Sequence, residues 1–271
     1  MWKTFSNNKL AVAGLLTIII LALLAIFAVK IVPYEPSAQN ILQRLQGPSL
    51  THLLGTDDLG RDVCSRVIYG TRISLSVGFI AVGIAVLLGI LFGAVAGFYG
   101  GWIDSVIMRF VDIMFCFPTF FLILMIIAVL GPNIYNVMIV IGLTSWPGIA
   151  RLVRGEILSV KEREYVYAAR AIGASDIRII FRHILPNALA PVLVTATLGI
   201  ADAILIESGL SFLGLGVQPP MPSWGNILTA GKDYIEYAWW LTLFPGLMIL
   251  ITILAYNLVG EGIREIVDPK Q

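Results

Sequence analysis

The sequence predicts an all-α membrane protein with six transmembrane helices. Of the 271 residues, 58% are hydrophobic and only 13% are charged, with a mean hydropathy of +0.89. Soluble domains carry about a quarter charged residues, so this chain lacks the polar surface to cover itself in water. Its apolar runs also recur at lengths near the roughly 20 helical residues that cross about 30 Å of hydrocarbon. One charged segment, 153–187, interrupts them late in the chain. The net charge of +1 gives no electrostatic case for a nucleic-acid partner.

The first apolar segment, 10–29, contains no charge. Lys3 and Lys9 precede it as in a secretory signal, but its run is too long for a signal core. Ile31-Val32-Pro33 is also no small-residue cleavage site, so a retained helix is expected. The loop 30–72 is punctuated by Pro33, Pro36, Gly47, Pro48, Gly55 and Gly60. Its end, 62–73, reads as a short interfacial helix with Val63, Val67 and Ile68 toward lipid. The second segment, 73–98, repeats a small residue every fourth position: Ala81, Ala85, Gly89, Gly93 and Gly97. Such a stripe lets two helix backbones approach closely. It fits a seam inside this subunit or a contact with a second one.

The third and fourth segments, 105–130 and 134–152, contain Pro118 and Pro147. Each proline removes a backbone hydrogen bond and favours a kink. Arg109 and Asp112 lie three residues apart and are expected to pair on one face. Cys116 lies in an apolar run and Cys64 in a polar loop, so no disulfide is expected between them. The fifth and sixth segments, 189–213 and 241–260, flank a loop, 214–240, that holds Pro219, Pro220 and Pro222. Trp224, Trp239 and Trp240 in that region read as interfacial anchors. Asp202 and Glu207 lie inside the fifth segment, where a charge facing lipid is costly. They line a path or hold polar groups between helices.

Residues 162–186 read EREYVYAARAIGASDIRIIFRHILP. Tyr165, Ala168, Ala169 and Ile172 share the spacing of one helix face, and Ile177, Ile180, Phe181 and Ile184 share another. Gly173 supplies the left-handed residue that ends a helix. Ser175 is placed to cap the next one, with Asp176 in its first turn. Pro186 is expected to stop that second helix before the membrane is re-entered. The outcome is a hairpin of two short amphipathic helices. Arg154, Lys161, Arg163, Arg170, Arg178 and Arg182 surround it, whereas the loop 214–240 holds only Lys232. The positive-inside rule therefore places 153–187 and both termini in the cytoplasm, and 30–72 and 214–240 outside. Arg44, Arg61, Arg66 and Arg72 run against the rule, partly offset by Asp57, Asp58 and Asp62.

Ala168-Ala169, Gly173 and Leu185-Pro186 match the spacing of the "EAA" loop of ABC importer permeases. Four further segments narrow the likeness: LGTDDLGRD at 54–62, GLSFLGLGVQPP at 209–220, PSWG at 222–225 and FPG at 244–246. The ending NLVGEGIR at 257–264, followed by Asp268-Pro269, agrees. Together they resemble the second permease subunit of importers for dipeptides, oligopeptides or nickel, from about Pro33 onward. The resemblance implies a type I ABC importer permease fold in a bacterial or archaeal cytoplasmic membrane. It implies a homologous second permease, two cytoplasmic ATP-binding subunits and an extracytoplasmic solute-binding protein as partners. It assigns ATPase coupling to the loop, here Ala168, Ala169, Gly173, Ala174, Ser175, Asp176, Arg178 and Pro186. Tyr167 stands where the family has its first Glu. Asp202 and Glu207 become candidate path residues. The substrate is a di- or oligopeptide, or alternatively nickel or a metal chelate.

No cofactor is expected on this chain; ATP and Mg would bind the partners. A phosphate-cradling loop needs G-x-x-x-x-G-K-[ST], and around Gly231-Lys232 the chain has Asn226 and Asp233 at the other required positions. His52 and His183 fall on opposite sides of the predicted membrane and cannot share a metal or a reaction. An ion-driven transporter or channel, which needs no docked ATPase, is the competing class. An intramembrane enzyme would need a nucleophile and base, or a metal set, within the spans.

Overall fold

The computed structural model describes residues 2–267; Asp268, Pro269 and Lys270 lie outside the described residues. Helix α1 (Trp2–Asn7) precedes α2 (Lys9–Ile31), whose first amides, Leu10 and Ala11, are capped by the Asn8 side chain. Then come α3 (Val63–Tyr99), α4 (Gly101–Phe115), α5 (Thr119–Leu130) and α6 (Ile134–Val160). The hairpin holds α7 (Glu164–Ala171) and α8 (Asp176–Ile179), and α9 (Leu185–Phe212) follows. A short helix, α10 (Trp224–Gly231), precedes the last, α11 (Trp240–Val267). Five helical stretches are each long and apolar enough to cross a bilayer: α2, α3, α6, α8 with α9, and α11. Counted as one broken crossing, α4 and α5 make the sixth, bent by 86°.

That break corrects the single helix expected over 105–130. Pro118 has no amide hydrogen for the Met114 carbonyl, and its ring crowds that turn. Helix α4 therefore ends at Phe115, and Pro118 becomes the residue preceding α5. Pro147, by contrast, lies inside an unbroken α6. The expected pair of Arg109 with Asp112 is also replaced. Asp112 instead meets Arg151 of α6 at 2.7 Å, and Asp104 receives both the Nε and an Nη hydrogen of Arg154. These two pairs tie α4 to α6.

The interfacial helix expected over 62–73 is the beginning of α3. Asp62 caps it by accepting from the Ser65 amide at 2.7 Å. Val63 and Val67 do not face lipid; they pack inward with Ile227, Ala238, Trp240 and Leu241. The 37 residues of α3 make a rod of about 55 Å, well beyond the roughly 30 Å hydrocarbon core. Its first turns, with Arg66 and Arg72, have room to extend past that core.

The small-residue stripe is a seam within the subunit. Ala81, Ala85, Gly89, Gly93 and Gly97 are all buried, and the three glycines lie against α6. A β-carbon on Gly89 would sit 2.6 Å from Ile149 Cβ, and one on Gly97 3.0 Å from the Arg154 carbonyl oxygen. The fit is reciprocal: a β-carbon on Gly142 of α6 would sit 2.7 Å from Ile84 Cβ of α3. Without side chains at these points the two backbones touch, and dispersion replaces the hydrophobic drive that lipid cannot supply.

The chain ends meet at one end of the bundle, where Asn8 donates to Glu265 at 3.0 Å. The hairpin lies at the same end. Lys161, following α6, donates to the Gly97 carbonyl at the end of α3 at 3.2 Å. The Tyr34 amide, just after α2, donates to Ser65 Oγ at the start of α3, at 3.0 Å. The last turn of α2 therefore lies at the opposite end.

At that opposite end the two long loops fold over the bundle. Trp224 and Trp240 were expected as interfacial anchors, yet both are buried. Trp224 donates its indole hydrogen to the Val67 carbonyl at 3.2 Å, and Trp240 donates to the Thr56 carbonyl at 3.1 Å. With its polar atom satisfied, an indole is better placed in the packed interior than at its edge. Of the three, only Trp239 keeps half its surface exposed. His52, in the loop 30–72, is part of a buried polar knot. Its Nδ1 lies 2.9 Å from Asp62, while Asp57 accepts from Arg61 at 2.7 Å.

Candidate functional site

The hairpin is built from its own capping bonds. Gly173, at φ +81°, follows α7. The Gly173 amide donates to the Arg170 carbonyl at 3.0 Å and the Ala174 amide to the Ala169 carbonyl at 3.1 Å. That pair of bonds is a Schellman motif, which requires a left-handed residue at the glycine position. Ser175 occupies the N-cap position of α8, but its side chain makes no capping bond. Asp176 follows in the first turn and Arg178 in the last.

The faces of the hairpin differ from the predicted set. Val166 and Ala169 point inward, packed with Ile179, Ile184, Val153 and Ile157. Ile172, placed on the Ala169 face by spacing, is 87% exposed. Ile177 and Phe181 are also exposed, while Ile179, Ile180 and Ile184 are buried. The free surface therefore carries Tyr165, Tyr167, Ala168, Ile172, Ile177 and Phe181, with Ala169 beneath it. The Tyr167 hydroxyl donates to Glu162, and that bond pushes the phenol above its ordinary pKa.

Pro186 does not end the second hairpin helix. Residues 180–184 form a π-helical turn, and α9 continues directly from it with Pro186 in its first turn. Proline cannot donate to the carbonyl four residues back, and a wider turn absorbs the missing bond. Asp176–Phe212 is consequently one helix of 37 residues. Asn187 ties it to α7 by donating to the Tyr165 hydroxyl at 3.3 Å.

Asp202 and Glu207, both on this helix, have different surroundings. Glu207 has no exposed surface, and its Oε1 accepts from Ser211 at 2.7 Å and from Ser223 at 2.9 Å. Ser223 is the N-cap of α10, so Glu207 fastens α10 to the span. Asp202 instead opens onto a cavity of about 310 Å³ between α3, α6 and α9. A second cavity, of about 360 Å³, reaches Asp202 from the α4–α5 break through Phe115 and Thr119. The sequence offered both carboxylates as path candidates, Glu207 foremost, and the bonds of Glu207 to Ser211 and Ser223 instead make it a structural tie. The Glu207-x-x-x-Ser211 spacing was the available signal for a bonded pair on one helix face.

The family described as the inner membrane component of binding-protein-dependent transport systems matches residues 89–271. The chain belongs to that family. The N-terminal transmembrane domain of oligopeptide transport permease C matches residues 1–48. This permease is 47% identical over 269 residues to a dipeptide transport system permease protein of Alkalihalophilus pseudofirmus, covering 99% of this chain and 88% of that one. It is 40% identical over 274 residues to an oligopeptide transport system permease protein of Bacillus subtilis, covering 100% and 90%. Among solved structures, an inward-facing MetNI methionine ABC transporter chain aligns at a TM-score of 0.60 and 20% identity. That alignment covers 75% of this permease and 96% of the other chain. The fold is thus that of a type I ABC importer permease, and the protein is a transport subunit of the membrane.

Proposed function

We propose that the protein forms half of the translocation path for di- or oligopeptides in an ATP-driven importer of the cytoplasmic membrane. It works with a homologous second permease, two ATP-binding subunits that hold ATP and Mg, and an extracytoplasmic binding protein that delivers the peptide. The observation that carries the reading is the continuity of the exposed hairpin with the span bearing Asp202. A partner that moves Ile177 and Phe181 moves the wall of the cavity with them. Ala168, Gly173, Ala174, Ser175, Asp176 and Arg178 form or shape the docking surface, Ala169 supports it from below, and Pro186 sits where the hairpin joins the span. The peptide class rests on the named relatives.

The test is uptake of alanyl-alanine by proteoliposomes holding the whole complex. Uptake is expected to need both ATP and the binding protein. Uptake driven by an ion gradient without ATP would make the protein a secondary transporter, and uptake of a nickel chelate in place of peptide would change the substrate. Orientation has its own test. In a cysteine-free background, Arg178→Cys is expected to resist an impermeant thiol reagent in intact cells and to react after lysis. Labelling from outside would overturn a cytoplasmic hairpin.

A further inference from the structure

Three helices contribute one face each to the cavity beside Asp202. On α9 the lining residues Thr195, Gly199, Asp202 and Ile206 recur at helical spacing, as do Ile141, Ser145 and Gly148 on α6. Ala81, Val82 and Ala85 of α3 close the third side. Most of these side chains are small. Gly148 faces open space, since a β-carbon there would meet nothing within 4 Å. The second cavity shares Ser145, Gly148, Asp202 and Ile206, so the two meet at the carboxylate. Among the described residues, Asp202 is the only titratable side chain lining either space.

Asp202 makes no hydrogen bond or ion pair among the described residues. An ionisable side chain within a membrane-spanning helix faces a polar cavity or pairs with a group of opposite charge, and marks a substrate or ion path. The nearest arginine along α6, Arg151, is one turn beyond Gly148 and is already engaged by Asp112. Asp202 is exposed toward the cavity, so a cation from outside this chain can reach it. A metal ion is a poor fit, because neither cavity is lined by a histidine, a cysteine or a second carboxylate. An ammonium group is a good one: the two Asp202 carboxylate oxygens and the Ser145 hydroxyl offer acceptors for its three hydrogens.

We propose that this cavity is a substrate subsite in which Asp202 receives the N-terminal ammonium of the peptide as it crosses. The proposal rests on the peptide-import reading and deepens it. Its test uses the complete reconstituted complex with its binding protein and measures alanyl-alanine uptake, ATP hydrolysis and co-purification of the subunits. Asp202→Asn keeps the size and removes the charge. It is expected to lower uptake by about tenfold or more, with assembly and basal ATP hydrolysis retained. Asp202→Glu is expected to recover part of the uptake. Adding Ser145→Asp to Asp202→Asn, which returns a carboxylate to the same space from the opposite wall, is expected to do so as well. Unchanged uptake in Asp202→Asn would overturn the subsite. So would loss of co-purification, which would assign the counter-charge to a neighbouring subunit. Should the wild-type complex move no peptide at all, the function reading fails before this one is reached.

Discussion

Gly93→Leu is expected to abolish recovery of the assembled complex. A β-carbon at this position would already sit 2.5 Å from the Ala150 carbonyl oxygen and 2.8 Å from Val153 Cβ. Neither atom is the free end of a flexible side chain, so α3 and α6 must separate. Adding single methylenes to a packed interior costs about 1–3 kcal/mol, and leucine adds three further carbons beyond a β-carbon that does not fit. A domain held by roughly 5–15 kcal/mol has little reserve against that. Gly89→Leu meets Ile149 in the same way. Gly83, on the same helix, is the control, because a β-carbon there meets nothing within 4 Å. Yield of purified complex and its thermal unfolding are the measurements. Normal yield and transport in both Gly89→Leu and Gly93→Leu would mean that α3 and α6 do not approach this closely in the assembly.

Gly173→Val is expected to leave membrane insertion intact while removing ATP hydrolysis stimulated by loaded binding protein, and uptake with it. The strain comes from the backbone alone, since a β-carbon at Gly173 meets no neighbour within 4 Å. At φ +81° a β-branched residue is a genuine outlier, and the left-handed region costs an ordinary residue about 1–2 kcal/mol. That is enough to release the two bonds that close α7 and to re-aim α8. Gly173→Asn is expected to retain most activity, because asparagine tolerates this conformation. Ala168→Arg places bulk on the exposed surface and is expected to reproduce the valine defect without disturbing the turn. Ala169→Arg is a different experiment, as that side chain points into the hairpin's own core. Wild-type stimulation in both Gly173→Val and Ala168→Arg would reduce the hairpin to a connector.

Hydropathy made the spans legible, because twenty apolar residues in a row leave few alternatives. Charge and a single glycine made the hairpin legible. Its faces were not. An eight-residue helix offers barely two turns, and Val166–Ala169 fits the same spacing as Ala169–Ile172. Tertiary packing chose between them. Pro118 and Pro147 look alike in sequence, yet one breaks a crossing and the other does not. Around Pro147, α6 is packed on α3 from Gly142 to Ile157. Indoles at 224 and 240 carried the pattern of interfacial anchors, and only the carbonyls of Val67 and Thr56, brought from far along the chain, made burial the better state. For the two acidic residues of α9, the deciding partner was Ser223, sixteen positions from Glu207 and in another element.

The unbroken run from Asp176 to Phe212 has a kinematic consequence. At 1.5 Å per residue it is a lever about 55 Å long. For a lever of that length, a tilt of about ten degrees about one end carries the far end through about 10 Å, the width of a helix. The Glu207–Ser223 bond lies near that far end, so a displacement of the hairpin would be handed to α10 at the opposite end of the bundle. No relay of intermediate contacts is then required between the two surfaces. Stroke and timing would be shared by construction, and a hinge introduced anywhere along the shaft, for instance two glycines ahead of Asp202, would let one end move while the other stayed still.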